Sequence, residues 1–77
     1  MVASTLSYLA RALVAYPDDV TVEHFDGDRG PTWRLRVNSE DMGRVIGKSG
    51  RVARAIRQIT RAAAARVDTH AFIEIGE

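Results

Sequence analysis

An α+β fold, with one three-stranded sheet covered on one face by helices, is the architecture this sequence predicts, in the order α-β-β-α-α-β. Three observations carry it. Thr32 to Asn38 alternate apolar and polar with period two. Residues 4–16 and 51–66 repeat apolar side chains at helical spacing. Two further runs of strong β formers, Val20 to Phe25 and Phe72 to Ile75, flank those segments. The chain has 77 residues, 45% of them apolar, and no cysteine. That is enough for one domain over residues 1–77, with a core burying about 60% of the unfolded surface and no disulfide to assist it.

Each element follows from local chemistry. In residues 4–16, Leu6, Leu9, Ala10, Leu13 and Val14 lie on one helical face, and Pro17 stops further propagation. Val20 to Phe25 reads as a strand, Asp26 to Pro31 as a turn by composition, and Thr32 to Asn38 as the second arm of a hairpin. Trp33, Leu35 and Val37 then face inward, and Thr32, Arg34 and Arg36 face solvent. Ser39 is the expected N-cap of a short helix with Glu40 and Asp41 in its first turn, ended by Gly47. Gly50 opens a longer helix to Arg66. At 100° per residue it collects Val52, Ile56, Ile59 and Ala63 on one side and Arg51, Arg54, Arg57 and Arg61 on the other.

The formal net charge is only +1, which by itself disfavours a nucleic-acid partner. Its distribution reverses that inference. Residues 1–41 carry four basic and seven acidic side chains, residues 42–67 seven basic and none acidic, and residues 68–77 three acidic and none basic: −3, +7 and −3. A uniformly basic segment between acidic flanks is the footprint of an anionic partner bound at one place. A helix with a solvated basic face would leave the same pattern, so charge alone does not decide between them.

Inside that segment, Gly47-Lys48-Ser49-Gly50 joins two helices by a few residues with glycine at both ends. Glycine there permits positive φ and a close backbone approach. The N-terminus of the next helix and Lys48, flanked by Arg44 and Arg51, favour phosphate. Gly43 to Ser49 superficially imitates a Walker A loop, but three residues separate its glycines where four are required, and a helix precedes it where a strand should. Nucleotide hydrolysis is disfavoured on that basis, and Ser49 has no base near it to make it a nucleophile. Two histidines, His24 and His70, are too few for a metal site or triad and receive no role. No apolar run approaches the roughly 20 residues of a membrane span, and residues 1–7 lack a basic leader, so a soluble cytoplasmic protein without cofactor is expected. Trp33 belongs to the core by its alternation with Leu35 and Val37. Phe25, Phe72, Tyr8 and Tyr16 are expected there too.

Val45-Ile46-Gly47-Lys48-Ser49-Gly50, followed by Ala55-Ile56, resembles the signature of the KH domain. The element order is similar to its type II, bacterial arrangement. Glu40 to Lys48 and the alanine-rich run after Ile59 resemble in particular the KhpA family of small single-KH bacterial proteins. The resemblance implies a non-catalytic module whose GxxG loop clamps the backbone of about four single-stranded RNA nucleotides. It assigns Lys48 and Ser49 to phosphates. Of Val45 and Ile46, one would line the base groove and the other pack inward. Arg44, Arg51 and Arg54 are near enough to assist, whereas Arg57 and Arg61 are expected to project toward bulk solvent. Many KH domains place a large aliphatic where this chain has Ala53, which implies a shallower or shifted groove. The family also implies self-pairing or pairing with a larger KH-containing protein, KhpB, and roles in RNA chaperoning and control of cell elongation. The alternative reading is a protein-interaction or dimerisation module in a ribosome- or elongation-associated complex.

Overall fold

A computed structural model describes residues 2–66 and 70–77. Helix α1 (Val2–Leu13) buries Val2, Leu6 and Ala10. It begins earlier than the periodicity predicts and stops before Val14. The reason lies 26 residues away: the Asp41 carboxylate accepts the amide N–H groups of Ala15 and Tyr16, at 2.9 and 3.1 Å, and so draws the chain out of the helix. A single 3-10 turn, Pro17–Asp19, leads into strand β1 (Thr21–Gly27). Strand β2 (Gly30–Arg36) returns antiparallel, pairing Gly27 with Gly30, so the expected hairpin forms on only two turn residues, Asp28 and Arg29.

After β2 the chain makes a crossover of the length a parallel pair requires. Asn38, rather than the expected Ser39, caps the 3-10 turn Ser39–Asp41: its side-chain oxygen accepts the Glu40 N–H at 2.9 Å. Helix α2 (Met42–Ile46) and helix α3 (Arg51–Ala65) follow, and strand β3 (Phe72–Gly76) closes the sheet in parallel to β2. The strand order is β1-β2-β3, with β2 central.

Register decides which side chains meet. Val22 and His24 of β1, Trp33 and Leu35 of β2, and Ile73 and Ile75 of β3 share the face toward the helices. Glu23 and Phe25, Thr32 and Arg34, and Phe72 and Glu74 share the other. The core under the helices joins Leu6, Ala10, Leu35, Val45, Ile56 and Ala64, all essentially inaccessible. Trp33 is buried as expected, and the His24 imidazole stacks on it at 4.2 Å with planes 5° apart, so this histidine shields the core edge. Thr32 is buried on the outer face between Phe25 and Phe72, its hydroxyl donating to the Gly30 carbonyl.

Three expectations about packing are corrected. Tyr8 and Tyr16 are exposed, at 74% and 45%. Phe25 and Phe72 are only half-buried, on the outer sheet face, with guanidinium groups of Arg34 and Arg29 lying over their rings. Arg34 and Arg36 occupy that outer face as expected, paired there with Glu74 and Glu23. The third correction concerns α3, whose buried stripe is Ala53, Ile56, Thr60 and Ala64, while Ile59 is 50% exposed. The stripe is turned roughly 75° from the one read off the apolar residues, at 100° per residue. It runs through a threonine because the Thr60 hydroxyl donates to the Ile56 carbonyl at 2.7 Å, which satisfies it inside the core.

Candidate functional site

The α2–α3 connection is built on an anchor. Asp41, 1% exposed, fixes the end of α1 to the start of α2, with Arg44 Nε 3.7 Å from the same carboxylate. Val45 is fully buried and seats α2 on the core. Ile46 is half-exposed beside the loop, so of the two aliphatics it is Val45 that packs inward.

Gly47 has φ 74° and ψ 172°, a conformation essentially restricted to glycine. A Cβ there would lie 2.4 Å from Val52 Cγ2 and 2.9 Å from the Val52 amide nitrogen. Thus this glycine is demanded from within, by the packing of α3's first turn. Ser49 and Gly50 follow in the left-handed region, at φ 58° and 75°. Gly47 N–H donates to the Gly43 carbonyl and Gly50 N–H to the Gly47 carbonyl. Arg51 N–H donates to the Lys48 carbonyl. These three amides hold the turn, and Lys48 and Ser49 are its exposed residues.

The arginines of α3 divide by direction. Arg54 donates through Nη1 to the Ser49 carbonyl at 2.9 Å and braces the loop. Arg57 is half-buried and donates through Nε to the Ile73 carbonyl on β3 at 3.3 Å, and Arg61 lines a concavity at the start of the same strand. The expectation that Arg57 points to bulk solvent is therefore corrected, whereas Arg61 is exposed as expected; with the core stripe turned, the arginine stripe runs beside β3. Arg51 lies on the opposite flank, at an apolar groove of about 340 Å3 between α1 and α3, lined by Leu9, Leu13, Val52, Ala55 and Ile59. Ala53 is buried, so the small residue at that position faces the core. Among the described residues no three His, Cys, Asp or Glu side chains converge as metal ligands, and no helix is long and apolar enough to cross a membrane.

Sequence reasoning missed two features. The α1–α3 groove was hidden because Val52 and Ile59 were taken as core; the available signal was a second small or apolar row, Ala53, Ile56, Thr60 and Ala64, beside them. Arg57's contact with β3 had no local signal.

A helix, a glycine-bounded positive-φ turn and a second helix, set against a mixed sheet, is an arrangement with known counterparts. The family model described as KhpA/KhpB, KH domain, matches residues 3–75. The chain belongs to this family. It is 43% identical over 70 residues to the RNA-binding protein KhpA of Clostridium acetobutylicum, covering 91% of this chain and 93% of that one. It is 47% identical over 70 residues to the RNA-binding protein KhpA of Treponema pallidum, covering 91% and 88%. Among solved structures, the KH domain here is similar to part of Aquifex aeolicus Era bound to GDP.AlF4-, with TM-score 0.70 and 17% identity, covering 97% of this chain and 30% of that one. It is also similar to part of Era in complex with MgGDPNP and a segment of 16S ribosomal RNA, with TM-score 0.66 and 18% identity, covering 97% and 29%. These last two likenesses concern the fold alone.

Proposed function

We propose that this protein is a non-catalytic, cytoplasmic RNA-binding module that holds single-stranded RNA at Gly47 to Gly50 and serves as an RNA chaperone or post-transcriptional regulator. The observation that carries the reading is the turn, with positive φ at Gly47, Ser49 and Gly50, that holds the exposed Lys48 and Ser49 in a segment with no acidic residue between 42 and 67. In this reading Lys48 and Ser49 take phosphates, Arg44 and Arg51 add field at the flanks, and Ile46 meets a base. Arg54 and Val45 hold the turn in shape from behind. Relatives bearing the name RNA-binding protein KhpA support it, as does the GxxG clamp of KH modules.

Few contacts are available to one such module, so pairing would raise its affinity through effective concentration. We place pairing with a second copy at the α1–α3 groove, where Leu13 and Ile59 are exposed apolar side chains with no charge between them except Arg51 at the rim. A larger KH-containing chain such as KhpB would use the same surface.

The test is the double variant Lys48→Asp with Ser49→Asp, checked for fold by circular dichroism and titrated with RNA at low salt. Loss of binding with an unchanged spectrum is expected. Binding equal to the parent overturns the loop as the site and leaves the protein-interaction reading in its place.

A further inference from the structure

The polar concavity at the far end of α3 is separate from the GxxG loop and has its own chemistry. About 330 Å3 in volume, it is formed where the β1–β2 turn, the start of β3 and α3 meet, and its wall includes Arg29, Thr32, Arg61 and Phe72. Among the described residues neither Arg29 nor Arg61 has a carboxylate within ion-pair distance. Glu74, also on the wall, is held by Arg34 at 2.9 Å, which among the described residues leaves Asp28 as the one acid on that wall without an ion pair. Phe72 is half-buried on the open sheet face, and the Arg29 guanidinium stands 5.5 Å over its ring. An aromatic ring with an exposed guanidinium over it is a surface on which a base can stack while the cation turns to a phosphate.

The concavity is also in line with the loop. Arg54, Arg57 and Arg61, spaced three and four residues apart, form one row on α3: the first holds Ser49, the second holds the edge of β3, and the third reaches the concavity. Gly50 to Arg61 is eleven residues of helix, about 16 Å at 1.5 Å per residue. A strand leaving the loop along this row covers that distance in about five phosphates at the stacked spacing of roughly 3.4 Å, and in fewer when extended.

We infer that Arg29, Arg61 and Phe72 form a second subsite for the RNA strand, at which a base stacks on Phe72 and the two arginines take phosphates. The inference rests on the proposed RNA-binding reading and lengthens its footprint beyond the loop.

The test compares three-nucleotide and nine-nucleotide RNAs of mixed sequence, bound to the parent, to the Arg29→Ala, Arg61→Ala double variant and to the Lys48→Asp, Ser49→Asp variant. Both arginines are exposed, so their removal leaves the fold intact. The arginine variant is expected to lose about tenfold in affinity for the long RNA. Its salt slope should fall by about 1.4, at roughly 0.7 per phosphate contact, while binding of the short RNA stays at the parent level. In the parent, backbone amide resonances of Arg29, Thr32 and Phe72 should shift with the long RNA and not with the short one. An arginine variant that binds the long RNA as the parent does, or unmoved amides at saturation, overturns the second subsite without touching the loop. A loop variant that keeps full affinity for both RNAs overturns the underlying reading instead.

Discussion

Replacing Gly47 by alanine is predicted to cost far more stability than the same change at Gly50, although both residues have positive φ and both bound the same loop. At Gly47 two penalties act together. The backbone at φ 74° and ψ 172° is a region where a non-glycine residue is strained by about 1–3 kcal/mol. The new methyl would also overlap Val52, 2.4 Å from Cγ2 and 2.9 Å from the amide nitrogen; the amide belongs to the first turn of α3 and cannot swing aside as a side chain can. Overpacking of this kind costs about 1–3 kcal/mol, for a combined loss of about 2–6 kcal/mol. At Gly50, with φ 75° and ψ 15°, alanine pays only the left-handed penalty of about 1–2 kcal/mol. Its Cβ meets nothing closer than the flexible end of Arg54, at 3.4 Å. A domain of 77 residues has a total stability of about 4–12 kcal/mol, so the Gly47 variant should lose about half of it, while the Gly50 variant keeps most of it. Urea titration followed by Trp33 fluorescence and far-ultraviolet circular dichroism measures both. Midpoints for the two variants that agree within the error of the titration would refute the assignment of Gly47 to packing.

Asp41→Ala removes the acceptor of two backbone N–H groups that the chain has already bent toward it. A loss of about 2–4 kcal/mol is expected, from hydrogen bonds to a charged group at about 1.5–3 kcal/mol each with partial rehydration of the amides. The same urea titration checks this, and a change below about 1 kcal/mol would mean the anchor is dispensable. Leu35→Ala, at a fully buried position of the central strand, should cost about 2–5 kcal/mol. Arg34→Ala on the same strand should cost less than about 1 kcal/mol, because its ion pair with Glu74 is partly exposed; a reversed order would show that the helix-covered face is misassigned. Ile59→Asp should leave the unfolding midpoint nearly unchanged, as expected for an exposed site, and shift sedimentation equilibrium toward monomer; a parent that is monomeric at all concentrations would dispose of the α1–α3 groove as a pairing surface.

Local chemistry accounts for much of this molecule. Period-two alternation located β2, the β-branched runs located β1 and β3, and Gly47 and Gly50 marked the loop and two of its three positive-φ positions, Ser49 being the third. The segregation of charge, with seven basic and no acidic residues between 42 and 67, pointed to the same loop. These features are legible because each depends on a residue's own conformational limits or on its neighbours within one helical turn.

Other features depend on partners that sequence proximity does not supply. The end of α1 is decided by Asp41, 26 residues away from Ala15. The parallel pairing of β3 with β2 is decided by a crossover through both later helices. On α3, period and composition alone favour an apolar stripe through Val52 and Ile59, yet the core takes Ala53, Ile56, Thr60 and Ala64. Small side chains allow close approach to the sheet, and the Thr60 hydroxyl finds its acceptor within its own helix. That rotation places Ile59 in an open groove on one flank and sets Arg57 and Arg61 beside β3 on the other. Sequence by itself determined where the chain turns, which segments extend or coil, and where its positive charge collects. Tertiary structure decided which face of α3 is inside, because that choice is a competition among long-range contacts that no local period records.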